Sequence, residues 1–127
     1  MHDKHLYEYA VIRVVPRVER EEFINIGLML YCKRQKYLRI KYNIPIQKIQ
    51  AFCTEFDIAQ LQINLEAFAG ICEGKKTAGP IAQLEKDERF RWLTAVKSSS
   101  IQTSRPHSGF SDNLDHTFDR LYAEVVA

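Results

Sequence analysis

Arg13, Glu22, Asn25 and Gly27 are the residues in this chain whose types and spacing come closest to a chemical device. They fall within YAVIRVVPRVEREEFINIGLMLY, residues 9–31. A guanidinium recognises carboxylate or phosphate through a planar fork of donors, and a carboxamide fixes orientation with a donor and an acceptor. A bare glycine lets another group come close to the backbone. The chemistry this set suggests is recognition of an anion, with no nucleophile or acid–base pair beside it.

The surrounding pattern shows how these residues would be held. From His5 to Val15 nearly every residue is apolar, aromatic or β-branched, broken only by Glu8 and Arg13. That composition fits a strand covered on both faces. Pro16 cannot donate a ladder hydrogen bond and is expected to end it. Arg17 to Glu22 is the charged connection, and Phe23 to Cys32 is a second strand in which Gly27 marks a bulge or a close approach. Pairing Val15 with Phe23 sets Arg13 opposite Asn25 and Val11 opposite Gly27. Opposed residues point to the same side, so guanidinium, carboxamide and glycine are expected on one face. A structural reading ranks above the ligand reading: Arg13 pairs with Glu21 or Glu22 and Asn25 satisfies a strand end, because structural networks imitate sites. A slip of one residue would also dissolve the arrangement.

A second polar stretch, Ser98 to His107, crowds hydroxyls, an amide and cations together. Ser100 and Gln102 join the tentative ligand set here, since hydroxyl and N–H donors can wrap an anion. An exposed loop is the cheaper reading. A third group, Lys33, Arg34, Lys36, Arg39 and Lys41, has Tyr31, Tyr37 and Tyr42 interleaved. Cations with aromatic platforms suit single-stranded nucleic acid. A charged hairpin tip that protects an edge strand explains the same residues more simply.

The elements that must position these groups follow from periodicity. Residues 33–36 form a polar turn and Tyr37 to Tyr42 alternates as a third strand, so three strands run in meander order. Pro45 can open a helix with Ile46, Ile49, Cys53 and Phe56 on one face. Asp57 is placed to cap a second helix with the stripe Ile58, Leu61, Leu65, Phe68 and Cys72, and Gly74 is placed to end it. Strand-like alternation of Leu61, Ile63 and Leu65 competes with that helix. Ile81 to about Leu93 reads as a further helix, Ser98 to Ser104 is polar but able to form a short edge strand, and Pro106 to Ser111 reads as a loop. The last helix has the stripe Leu114, Phe118, Leu121, Tyr122 and Val125.

Composition narrows the function classes. A chain of 127 residues suits a single α+β domain, 1–127, with a sheet of three or four antiparallel strands and helices packed against it. A net charge of +2 is too small for global electrostatics to choose a partner. Cys32, Cys53 and Cys72 are odd in number, far apart and set among apolar neighbours, which argues for reduced buried thiols and against a zinc site. No run approaches a membrane span and no leader pattern opens the chain, so a cytoplasmic protein is expected. There is no phosphate-binding glycine loop, dinucleotide turn, H-E-x-x-H or G-x-S-x-G. The carboxylate groups Glu19, Glu21 and Glu22, and Glu85, Asp87 and Glu88, fall in charged stretches that read as solvated faces. No catalytic residue, metal or cofactor is assigned.

The run YAVIRVVPRVEREEFINIGLMLY resembles the opening of a bacterial family catalogued as domain of unknown function 3037. In that family an R-x-x-P element precedes an E-F-x-N-x-G signature; here these are Arg13, Pro16, Glu22, Phe23, Asn25 and Gly27. FRWLTAVKSSSIQTSRPH is similar to the family's later segment, in which an aromatic-leucine pair precedes a Ser/Gln-containing stretch. With the C-terminal helix, the resemblance covers most of the chain. It implies no catalytic residue, because the family has no established activity. It implies an accessory role, because members are often encoded beside, or fused to, proteins resembling a toxin-type Ser/Thr kinase. The expected function is therefore a non-catalytic binding or regulatory module acting with another protein. Nucleic-acid binding is the alternative, and a small anion-binding domain or enzyme using Arg13, Asn25 and Ser100 is the weaker one.

Overall fold

The structure, a computed structural model, describes residues 4–17, 22–95 and 100–126. Glu19, Glu21, Ser98 and Ser99 lie outside the described residues. Among the described residues five strands and four α-helices follow in the order β1 (His5–Arg17), β2 (Glu22–Cys32), β3 (Tyr37–Tyr42), α1 (Ile46–Phe52), α2 (Ile58–Glu73), α3 (Lys86–Thr94), β4 (Ile101–Thr103), β5 (His107–Ser111) and α4 (Leu114–Val125). The fold is α+β, with every strand pair antiparallel. The meander β1-β2-β3 forms as expected, and β4 and β5 share the other side of β1.

Two apolar clusters explain why β1 and β2 read as unbroken apolar runs. Ala10, Ile12, Val14, Ile24, Ile26, Met29 and Tyr31 pack with Ile49, Leu61, Leu65, Cys72, Phe90 and Leu93 of α1, α2 and α3. On the opposite face Tyr7, Leu28, Leu30 and Cys32 pack with Leu114, Phe118 and Leu121 of α4. A sheet buried on both sides needs apolar residues at odd and even positions alike. Each fully buried Leu or Phe on α4 contributes about 1.5–3 kcal/mol, which holds a twelve-residue helix too short to persist alone.

Caps set the helix ends. The Asp57 side chain accepts the Gln60 N–H at 2.9 Å and opens α2. Gly74 ends it in the left-handed region at φ 70°, where a Cβ would also strike the buried Arg89 guanidinium. Helix therefore prevails over strand across Leu61–Leu65. Asn113 caps α4 by accepting the His116 N–H at 3.1 Å.

Four expectations need correction. β1 runs past Pro16 to Arg17, because Pro16 falls in the irregular stretch between the Val14–Ile24 and Arg17–Glu22 pairs, where a missing donor does no harm. The first helix stops at Phe52, since Cys53 is extended. The third helix begins only at Lys86, after a separate 3-10 turn at Ile81–Gln83 closed by an extended Leu84. Pro106 to Ser111 is not a loop: His107–Ser111 is β5, paired with Tyr9 to His5. Three residues, 104–106, bulge out between β4 and β5 opposite two of β1, and this is the position at which Pro106 is tolerated.

Candidate functional site

The register sets Arg13 opposite Asn25 on β2 and opposite Gln102 on β4, so three polar side chains form one row across the sheet. The row lies on the α4 face. The Asn25 Nδ2 donates to the carbonyl oxygen of Val125 at 3.2 Å. Val125 ends α4, where carbonyls lack an intrahelical donor, so Asn25 clasps the helix end to the sheet. The Arg13 guanidinium carbon lies 4.1 Å from the centre of the Phe23 ring. Among the described residues Arg13 makes no ion pair, so the expected pairing with Glu22 does not form. The Arg13 Nε and the Asn25 Oδ1 are both buried without a hydrogen-bond partner, a donor and an acceptor on opposed residues.

Gly27 does not join them. The pairs Ile12–Gly27 and Arg13–Asn25 leave Ile26 unopposed, so β2 bulges there and Val11 faces Leu28 instead of Gly27. A Cβ on Gly27 would lie 2.8 Å from the Lys41 carbonyl oxygen and 2.8 Å from the Tyr42 Cβ, and 3.2 Å from Ile12. Ile12 and Tyr42 belong to the helical layer, so Gly27 points away from Arg13 and Asn25, and the group that approaches it closely is the backbone of β3. Glu22 opens β2 opposite Arg17. Ser100 gives its carbonyl to the Val15 N–H at 2.7 Å and borders an apolar pocket between α2, α3 and β4, on the side of the sheet away from α4. The Arg13, Asn25 and Ser100 set expected for a small-ligand site is therefore not gathered in one pocket.

The basic group divides. Arg39 lies 3.4 Å from Asp115 and 3.6 Å from Asp119, with its guanidinium carbon 4.2 Å from the Phe118 ring centre. The Lys41 Nζ sits 4.4 Å over Tyr122. The Tyr37 hydroxyl donates to Asp115 at 2.7 Å, and burial, reinforced by that hydrogen bond, pushes its pKa up to about 12. These three side chains of β3 hold α4. Lys33, Arg34 and Lys36 stay exposed at the β2–β3 turn, and Lys36 adopts a positive φ of 50°.

Lys33 and Arg34 are not alone at that turn. Together with Lys4 they line one shallow depression with Leu6 and Phe110. Leu6 and Phe110 are opposed in the β1–β5 register and are 54% and 68% exposed, which is unusual for a facing Leu–Phe pair. Gln35 of the turn contacts the His5 ring at 3.1 Å, fixing the turn beside the start of β1. Among the described residues none of the three cations meets a carboxylate. Glu8 and Arg91 close the next surface with a two-pronged ion pair at 3.0 and 2.8 Å, which raises the Arg91 pKa. The sequence pointed to Lys33 and Arg34 but not to the apolar pair beside them. Phe110 stood in an expected loop and Leu6 in an expected core strand, and only the Phe in a polar pentapeptide hinted at it.

A family model described as Protein of unknown function (DUF3037) matches residues 9–126. The chain belongs to the DUF3037 family. No curated protein and no solved structure matches it. The DUF3037 match runs from Tyr9 to Val126, so it takes in the polar row, α4 and Phe110, and leaves Lys4 and Leu6 outside. Among the described residues no group of three or more His, Cys, Asp or Glu is placed to hold a metal ion, and no helix is long and apolar enough to cross a membrane. Cys32 and Cys72 are buried free thiols and Cys53 is half-buried; burial pushes the Cys72 pKa up to about 12, so it is a poor nucleophile at neutral pH.

Proposed function

We propose that this DUF3037 chain is a non-catalytic binding and regulatory module that docks on an acidic, apolar surface of another protein. The observation that carries the reading is the exposed Leu6–Phe110 pair rimmed by Lys4, Lys33 and Arg34. Apolar anchors at the centre of a polar rim are how protein interfaces concentrate binding energy. Cations that meet no carboxylate among the described residues surround them, and such cations steer an acidic partner into place and reject a basic one. The polar row does not compete for the role, because Asn25 is committed to the end of α4. The first partner to try is the toxin-type kinase-like protein that the family resemblance points to.

Isothermal titration of the purified chain against that neighbouring gene product tests the reading. A micromolar complex is expected. Phe110→Ala, and separately Lys33→Glu with Arg34→Glu, should each weaken it at least tenfold while the far-UV spectrum stays unchanged. No heat at 100 µM, or equal affinity in both variants, overturns the docking surface. Salt-sensitive retention of a single-stranded oligonucleotide that is lost in Phe110→Ala would replace the partner protein with nucleic acid.

A further inference from the structure

The free edge of β3 lies on the far side of the sheet from β5. The ladder to β2 pairs Tyr37 with Cys32, Arg39 with Leu30 and Lys41 with Leu28, and continues as the Asn43 N–H donating to Ile26 at 2.8 Å. Backbone groups alternate sides along a strand, so the N–H and C=O of Leu38, Ile40 and Tyr42 point away from the sheet. Among the described residues nothing bonds to them. Natural edges are blunted by proline, bulges, short length or a charged side chain over the edge. β3 has six residues, no proline and an unbroken register, and its two charged side chains, Arg39 and Lys41, reach back to the Phe118 and Tyr122 rings of α4. Ile40, Lys41 and Tyr42 instead line an open groove with Glu66, Ala69 and Glu73 of α2.

We propose that β3 pairs antiparallel with β3 of a second copy about a two-fold axis through Ile40, joining the two sheets. That register sets Ile40 against Ile40 and Leu38 against Tyr42 of the partner copy, so all six outward N–H and C=O groups of each strand's Leu38, Ile40 and Tyr42 find a complement. It also sets Lys41 of one copy opposite Arg39 of the other. Arg39 is held by two carboxylates, Asp115 and Asp119, so its cluster carries one net negative charge. Lys41 sits over the Tyr122 ring, makes no ion pair among the described residues and carries one positive charge. The two-fold axis therefore brings opposite charges together twice. Pairing there leaves Leu6 and Phe110 uncovered, so the inference stands apart from the partner-docking reading and would give a module with two docking patches.

Sedimentation velocity from 1 to 200 µM tests it, with hydrogen exchange followed residue by residue. A concentration-dependent shift from 14.8 kDa to twice that mass is expected. At the high end the amides of Leu38, Ile40 and Tyr42 should exchange at least tenfold more slowly than at the low end. Lys41→Glu, which puts a carboxylate opposite the Arg39 cluster, should raise the dimer dissociation constant at least tenfold with the fold intact by circular dichroism. A monomer at 200 µM overturns the proposal. So does a dimer in which those three amides are unprotected, or one that Lys41→Glu leaves unchanged.

Discussion

Ser104→Ala is expected to destabilise the protein by about 2 kcal/mol, the cost of leaving one buried backbone donor without an acceptor. Ser104 is 4% exposed and sits where the outer strand bulges between β4 and β5. Its N–H donates to the Val11 carbonyl at 2.8 Å, and its Oγ accepts the Val11 N–H at 2.9 Å. The hydroxyl in turn donates to the Arg105 carbonyl at 3.0 Å. A side-chain oxygen thus takes the place that a strand carbonyl would occupy if the ladder were unbroken. Alanine keeps the backbone bond and removes the acceptor, and Val11 is too buried, at 6% exposure, for water to serve. An unsatisfied buried N–H costs about 1–3 kcal/mol; the Arg105 carbonyl, being at an exposed residue, adds little. For a chain of this length that is a fall in Tm of roughly 6–10 °C. Urea unfolding should show a lower midpoint at unchanged m, and the Val11 amide should lose exchange protection. A stability change below about 0.5 kcal/mol with Val11 exchange unaltered would refute the assignment of Oγ as the acceptor.

Gly27→Ala should cost about 1–3 kcal/mol by overpacking, because the added Cβ meets the Lys41 carbonyl and Tyr42 Cβ of a backbone that cannot swing aside; guanidinium unfolding measures it, and a neutral result would mean that β2 and β3 can separate freely. Tyr37 titrates higher in the folded state, about 12 against 10.0, so the unfolded chain loses that proton first and stability is full below pH 10 and falls as pH rises towards 12. Tyr37→Phe should flatten that alkaline limb in melts taken from pH 9 to 12, and should lower neutral-pH stability by about 1 kcal/mol through loss of the hydrogen bond to Asp115; an unchanged limb counts against Tyr37 as its source.

What could be read from the sequence divides along a physical line. The meander, both long apolar strands, the Asp57 and Gly74 caps and the C-terminal helix were readable because each is written in a period or a cap. Gly27 likewise marked a bulge or a close approach, and both are there, but the change of phase that the bulge brings was not readable. Ile24 and Ile26 face α2 and α3, then Leu28, Leu30 and Cys32 face α4, so the strand changes phase across Gly27. In a half-exposed strand that change would appear as two apolar residues in a row. In a strand buried on both faces every position is apolar, and the pattern carries no phase to read. The expected register was therefore right at Arg13–Asn25 and wrong one step later at Gly27. β5 was lost for a different reason: His-Ser-Gly-Phe-Ser has almost no strand propensity of its own, and pairing with His5 to Tyr9 makes it a strand.

The same limits hid the proposed docking patch. Leu6 sits in an apolar run that looks like core throughout, but β1 extends beyond its helical cover, so the residue that pattern alone would bury is exposed. Phe110 lies opposite it on the strand that composition assigned to a loop. The residues expected to form a signature have structural duties that are visible one by one: Gly27 admits β3, Asn25 holds the end of α4, and Phe23 carries the Arg13 guanidinium. Residues with such duties mark how the sheet and its last helix are joined. The proposed docking surface rests instead on Leu6, Phe110, Lys33 and Arg34, which lie together in one place and whose side chains meet no hydrogen-bond or ion-pair partner among the described residues.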